Sequence, residues 1–600
     1  MAKNLTFGVV LRSGTARVAA AIASLRRTLR PLDIFIVIAA VGSLSLRTMV
    51  PPNILPNSPH DDLLGVQLAR ELLRGQWLGP WNNRVLAKPP GYSIFLAVIH
   101  PLGIPPTVAV HILYLLLGFY AIHLLGRSGR LAPAHPLVSR GLFLLFAFNP
   151  SVFGGDFSRI YRVSLNSIAA LLYVLAFLHL LLILKRVRPG PAVPRRAIAL
   201  PSLLLGLAYA AMLLTRTEAY WVLLPSMVVL LLIVVGDCFW RRHPPEGTRG
   251  LTLYPLIASV AISSTAAVLP LALVRYANKA AYGVAEIDNL RSGNFAKAVN
   301  LWTSVRDGRD SRSFIAISRG QREAVYATSP TAATLRSLLE TPPGVGWKTH
   351  SCVATGVCDE SGAWFVFELR DAAVTAGGLT DEVAFQEFFG KIAADISTAC
   401  RAGRLNCGRA GFTPGARDLA EYSRKQLLDT SMKVLLSLIA FEQARNVGRP
   451  DYGHDVNQLA LWREAVTFDR VITSSDVDVW RAMGNTIRLL ETLYASLSPL
   501  LCALTVLALM RGWRHPVVDG GDWFLLYLLG CIGLYCGGMA VFEASHGFSI
   551  GFSFYALPVQ PVFLLALLTG AGSSASLLIE GRSRRCDSAD AGRRRGATEA

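Results

Sequence analysis

What most constrains this chain is the recurrence of apolar blocks about as long as a bilayer is thick. A helix needs about 20 mostly apolar residues to cross the hydrocarbon core. Ten segments read as such spans: 32–50, 106–125, 138–154, 166–184, 197–214, 219–236, 252–273, 494–511, 523–542 and 553–575. A soluble chain of 600 residues would divide into several cores and carry about 25% charged residues. This one carries 16% and has a mean hydropathy of +0.41. The blocks exclude a soluble enzyme, a disordered chain and a disulfide-rich miniprotein. They predict an α-helical polytopic membrane protein of about ten transmembrane helices.

The formal net charge of +19 invites a nucleic-acid reading, but the placement of the charges opposes it. Basic residues gather beside apolar spans, as in Arg26-Arg27, Arg127 with Arg130, Lys185-Arg186, Arg241-Arg242, Arg511 with Arg514, and the tail Arg593-Arg594-Arg595. Every second loop is basic, the pattern that fixes orientation in a membrane. No stacking-rich basic domain accompanies it. The expectation is a multi-pass protein of the inner (plasma) membrane with both termini cytoplasmic. No small-residue cleavage site follows the first span, so the N-terminal basic stretch reads as an anchor rather than a cleaved signal.

Two outward-facing regions follow from that alternation: the first loop, 51–105, within a membrane module 1–274, and an extracytoplasmic insert, 275–490. C-terminal spans occupy 491–580 and a basic tail 581–600. Segment 89–104 is apolar but broken by Pro89, Pro90, Pro101 and Gly103, and reads as a helix lying at the outer surface. Within the insert, 419–446 and 479–493 look helical, 363–369 reads as a strand, and 431–442 is apolar but too short to span. Cys352, Cys358, Cys400 and Cys407 form two close pairs there. In an exported domain such pairs suggest disulfides. Cys352–Cys358 with Cys400–Cys407 is the preferred connectivity, two others remain open, and zinc is disfavoured because no histidine stands at ligand spacing.

The predicted spans hold almost no charge at mid-membrane, where ion-coupled transporters place theirs. Polar residues gather instead at outer helix ends. The first loop contains His60-Asp61-Asp62, then an amphipathic stretch to Arg74, Gly75-Gln76-Trp77, and Lys88-Pro89-Pro90-Gly91-Tyr92. Adjacent acids beside a membrane must cap, pair or react. Asp61 can cap a helix over 62–74 or act as a base. Further candidates at outer helix ends are Asp156, Arg159, Arg162, Arg216, Glu218 and His546. Arginine suits phosphate because its planar fork meets two oxygens. Arg216 and Glu218 can equally neutralise each other.

The acid pair, Arg70-Glu71-Leu72-Leu73, Gly75-x-Trp77 and Lys88-Pro89-Pro90 resemble the first outer loop of GT-C glycosyltransferases. The likeness is to the branch of protein O-mannosyltransferases and lipid A aminoarabinose transferases, and is specific over 60–92. It implies a GT-C-like module at the N-terminus and a sugar taken from a polyprenyl phosphate on the outer side of the membrane, with inversion. It further implies Asp61 as the catalytic acid position, Asp62 as the second, and His60 as the His of His-Asp variants. One departure is plain: the family's second-loop acid is expected near Ser164, whereas here Asp156 lies upstream.

The resulting expectation is a glycosyltransferase in which Asp61 is the base. Asp62 or His60 orients it, or helps hold a divalent ion, and Lys88, Asp156, Arg159, Arg162, Arg216, Glu218 and His546 bind substrate. Its partners are the bilayer, a polyprenyl-phosphate sugar donor, and a glycan, lipid or protein acceptor, without nucleic acid. The alternative is a non-enzymatic membrane protein, either a lipid transporter or a receptor whose insert binds a ligand.

Overall fold

The computed structural model describes residues 31–55, 60–127, 136–186, 195–242, 253–307, 317–341, 348–349, 352, 361–362, 364–409, 423–445, 474–514, 520–546 and 552–574. They form helices, and among them β-pairing is confined to isolated bridges. In chain order the helices are α1 Pro31–Met49, α2 Asp62–Leu73, α3 Gly91–Ile99, α4 Pro106–Arg127, α5 Pro136–Ala147, α6 Arg162–Arg186, α7 Arg195–Thr215, α8 Tyr220–Arg242 and α9 Leu253–Tyr282. Then come α10 Gly293–Ser304, α11 Arg319–Thr328, α12 Phe365–Gly377, α13 Glu382–Arg401, α14 Arg424–Ile439, α15 Ser474–Arg514, α16 Gly520–His546 and α17 Phe552–Ala556, with a last helix α18 over 560–574.

Among the described residues, helix covers most of each of the ten predicted spans. Six helices among the described residues are long and apolar enough to cross a membrane: Pro106–Arg127, Arg162–Leu184, Ala197–Thr215, Pro255–Tyr282, Val477–Met510 and Phe524–Ala544. Ile34–Met49, Leu137–Val152 and Tyr220–Val235 are apolar and shorter. The tenth, 553–575, is interrupted by a turn at 557–559 between α17 and α18. Segment 89–104 is α3 followed by a 3₁₀ turn, His100–Leu102, which ends at Gly103 with φ of +65°. Only glycine adopts that backbone without strain.

The large apolar cluster gathers α4–α8, α14, α16 and α18 around Tyr114, Phe143, Phe177, Trp221 and Tyr527. Near-continuous apolar sequence on α6 and α18 is explained by their position, since both are buried on nearly every side. The insert has its own core: Phe295, Trp302, Phe365, Phe385 and Phe389 from α10, α12 and α13, in edge-to-face and tilted contacts. Such pairs add about 0.5–1.5 kcal/mol each beyond their burial. Cys400 and Cys407 are joined by a disulfide at the end of α13, and Cys352 is also disulfide-bonded. Cys358 lies outside the described residues.

Several insert expectations are corrected. Residues 364–369 are not a strand. Phe365, Leu369, Ala372 and Ala373 are buried at helical spacing along α12, and a short aromatic run cannot by itself distinguish the two periods. The predicted helix 479–493 and span 494–511 are one helix, α15, of 41 residues. Helix α9 likewise runs through the 274/275 boundary to Tyr282. The short apolar stretch 431–442 lies largely on α14. Its Val434 and Leu438, with Phe441 beyond, join the large cluster rather than the insert core.

The insert buries charge. Arg322, fully buried, pairs with Glu340 through Nε at 2.6 Å, and Lys348 reaches the same carboxylate at 3.1 Å. Glu368 is 2% exposed and accepts from Ser361 Oγ at 3.1 Å. Burial pushes its carboxyl up to about 7, against Lys348 and Arg322, from an ordinary 4.5. A folded value above the unfolded one gives stability that is present below about pH 4.5 and lost as pH rises towards 7. Glu368→Gln is therefore expected to flatten the fall in melting temperature over that window. Calorimetry of the full chain in detergent reads it, and an unchanged slope would refute the assignment.

Candidate functional site

The site forms where the first loop meets the connection between α5 and α6. Two backbone hydrogen bonds join them, Asn53 N–H to Ser158 O and Ile160 N–H to Asn53 O, both at 2.9 Å. Arg47, buried at the end of α1, donates to Ser158 Oγ at 2.8 Å and fixes the same loop from below. On the other side Gly91 approaches the end of α7 so closely that a Cβ would stand 2.5 Å from Leu214 O. The missing side chain at Gly91, just after Pro89-Pro90, is what lets this part of the loop pack against the end of α7.

These elements bring together most of the predicted side chains. The Asp61 carboxylate contacts Lys88 Nζ directly and accepts from Tyr161 Oη at 3.0 Å, with Arg159 Nη2 at 3.9 Å. Lys88 and Arg162 also donate to Tyr161 Oη, at 3.2 and 2.9 Å, so that one phenol links both cations to the acid. Arg162 Nη1 donates to Thr215 O at 3.2 Å. Of Lys88, Arg159, Arg162 and Arg216, only Arg162 makes no ion pair among the described residues. Arg216 is neutralised by Glu218, which Arg291 also approaches at 3.6 Å.

The two adjacent acids are in unlike surroundings. Asp62 is fully buried and takes Arg159 Nε on both oxygens, at 2.9 and 3.0 Å, Arg159 Nη2 at 2.6 Å, and the Leu55 N–H at 3.0 Å. Burial works against charge on both partners, but Asp62 holds the guanidinium firmly protonated. Asp61 is 34% exposed. It occupies the N-cap position of α2 but makes no side-chain cap bond, so the capping reading fails for its carboxylate. Burial, with Arg162, Arg159 and Arg216, pulls the Lys88 ammonium well below its ordinary range, and the carboxylate against it opposes that pull.

His60 turns away from its two neighbours. Its ring stacks on Phe367 of the insert at 4.7 Å, and Nε2 stands 3.7 Å from Asp371 Oδ2. Burial lowers its pKa, Asp371 raises it, and Arg84 and Lys88 lower it further. His60, Asp61 and Asp62 therefore serve three different partners. Among the described residues no group of three or more histidine, cysteine or acidic side chains is placed to hold a metal ion.

Asp156 accepts from Ser553 Oγ at 3.2 Å, against α17, and lies close enough to Arg159 to favour its charge. Ser164, at the expected place of the family's second acid, is buried and bonded to Tyr161 O. His546 ends α16, and its side chain lies outside the described residues. Aromatic faces complete the cluster: Arg159 lies 4.7 Å from the Tyr161 ring and 5.1 Å from Phe554, and Arg216 lies 5.6 Å from Tyr555. Sequence reasoning missed Tyr161, although it lies between two arginines already singled out. It also missed Phe367, Asp371 and Phe554, for which no local signal exists.

A cavity of about 540 Å³ lies beside α2, between Leu64, Gln67 and Arg70 on the helix and Asn82, Asn83 and Arg84 on the loop.

No family model matches the chain, and no curated protein does either. Among the solved structures similar to it are two of one protein. One is ArnT from Cupriavidus metallidurans bound to undecaprenyl phosphate, 13% identical, covering 90% of this chain and 77% of that one with a TM-score of 0.28. The other is the same protein in the apo state, 12% identical, covering 94% and 78%, with a TM-score of 0.26.

Proposed function

We propose that the protein is a membrane glycosyltransferase that moves a sugar from a polyprenyl-phosphate donor to an acceptor hydroxyl on the outer face of the membrane, with inversion. The observation that carries this reading is a carboxylate, Asp61, about one-third exposed, that meets Lys88 directly and is tied through one tyrosine to Arg162, which makes no ion pair among the described residues. The first-loop residues that place it are those of the GT-C resemblance.

The chemistry needs one base and a seat for phosphate. Asp61 takes the proton of the acceptor hydroxyl as its oxygen attacks the anomeric carbon. The bond from that carbon to phosphate oxygen breaks, and polyprenyl phosphate leaves with the electron pair. The transition state is oxocarbenium-like, and a nearby carboxylate favours it. Arg162, whose partners among the described residues are a hydroxyl and a carbonyl, can exchange them for phosphate oxygens. Lys88 can pass from Asp61 to the leaving phosphate as charge develops there. One carboxylate at the sugar carbon gives a single displacement, hence inversion. The proposal places the first loop and the insert outside, with both termini inside. The acceptor is a glycan, lipid or protein.

The test is sugar release from a panel of radiolabelled polyprenyl-phosphate pentoses and hexoses by membranes containing the wild type or Arg162→Gln at matched abundance. The expected result is turnover of at least one donor. Its KM should rise about ten-fold or more in the variant, as for a lost charge-assisted hydrogen bond of about 1.5–3 kcal/mol. A donor KM unchanged by the substitution would remove Arg162 from the phosphate site, and a wild type inert to the whole panel would count against the transferase reading.

A further inference from the structure

Helix α12 belongs to the insert, but only one of its faces serves the insert core. Phe365, Leu369, Ala372 and Ala373 pack there with α10 and α13. Phe367, Arg370 and Asp371, at the i, i+3 and i+4 spacing that shares a helix face, turn to the first loop. Phe367 stacks on His60 at 4.7 Å, stands 5.5 Å from Lys88 Nζ, and packs with the loop cluster of Leu64, Leu68, Leu78 and Leu86. Asp371 meets His60 through Oδ2 at 3.7 Å and accepts from Asn83 Nδ2 through Oδ1. Arg370, fully buried, donates from Nε to Asn83 O at 2.8 Å.

Neighbouring bonds make this face a fixed joint. Trp81 Nε1 donates to Glu382 Oε2 and Asn289 Nδ2 to Glu382 Oε1, both at 2.8 Å, while the Asn289 N–H reaches Leu86 O at 2.9 Å. Segment 81–88, which ends in Lys88, is therefore held to the insert along its length. His60 precedes Asp61 directly, and Lys88 is the acid's ion-pair partner. Both are touched by one ring from α12.

We propose that α12 is a positioning element of the catalytic centre: Phe367 and Asp371 hold His60 and, with it, Lys88, so that the Asp61 carboxylate meets the acceptor hydroxyl in register. This rests on the transferase reading above. Neither residue touches substrate in this scheme. Each acts through its neighbours, and displacement of a reacting group by about 1 Å costs on the order of 100-fold in rate.

The experiment compares the purified full chain with Phe367→Ala, Phe367→Tyr and Asp371→Ala, using the same panel of radiolabelled polyprenyl-phosphate pentoses and hexoses and a thermal melt of each variant. The expected result is a kcat lowered about 10- to 100-fold in Phe367→Ala and Asp371→Ala. Donor KM should stay near the wild-type value, since the cations that meet phosphate remain. Phe367→Tyr keeps the ring and should restore most of the rate. Asp371 is 32% exposed, so its truncation leaves a folded chain to assay even where loss of the Phe367 ring does not. Wild-type kcat in folded Phe367→Ala or Asp371→Ala overturns the inference alone. A loss divided between kcat and KM that follows melting temperature also overturns it, by making the role structural. A wild type that turns over no donor overturns the transferase reading first, and the inference with it.

Discussion

Asparagine at position 61 is expected to lower sugar transfer by about 10²–10⁴-fold, the usual contribution of a positioned general base. The fold should persist, with a melting temperature lowered by the loss of the Lys88 ion pair. Asp61 is 34% exposed and makes no cap bond to α2, and asparagine preserves its size and can still accept from Tyr161 Oη. What is lost is the ability to take a proton at neutral pH, together with the negative charge that faces Lys88. Membranes holding wild type and Asp61→Asn at matched abundance would be compared for release of radiolabelled sugar, with melting temperature as the control. Equal turnover would sink Asp61 as the base while leaving the architecture standing.

One residue on, the same substitution should act in the opposite way. Asp62 is fully buried and receives four hydrogen-bond contacts from Arg159 and Leu55. Removing one partner of a buried ion pair strands the other charge and costs about 3–5 kcal/mol. Asp62→Asn should therefore lower abundance and melting temperature sharply, with activity per folded molecule a secondary matter. The pairing has its own control: Asp62→Leu combined with Arg159→Met leaves no stranded charge and should be less damaging than either change alone. A double variant as unstable as the sum of the singles would show that the two residues do not act as a pair.

This division of labour was only half visible in the sequence. Two adjacent acids after a predicted span announce that something costly is being satisfied, and Lys88-Pro89-Pro90-Gly91 announces a tight approach. Which acid is buried depends on where Arg159 arrives, and that is decided by the bridge between Asn53 and Arg159 and by the bond from Arg47 to Ser158. No periodicity encodes such contacts. Helices over the predicted spans were legible because hydrophobicity and length suffice for them. The helical state of 365–377 was not, because Trp364-Phe365-Val366-Phe367 suits either period and only the burial of Leu369, Ala372 and Ala373 settles it. Phe367 and Asp371 lay beyond reach for a simpler reason: their role is defined by residues distant in the chain.

Helix α15 carries a consequence for anyone who would exchange or trim the insert. Its 41 residues span roughly 60 Å at 1.5 Å per residue, starting in the insert and ending among the membrane helices. Helix α9 enters the insert in the same unbroken way. Such a connection is a shaft rather than a tether, and a shaft has phase. Adding or deleting one residue before Tyr494 would turn everything beyond it by about 100° about the helix axis, whereas a change of seven residues would return it nearly to alignment. A hybrid made from a different insert will keep its geometry only if the splice respects that count, however well its new sequence folds.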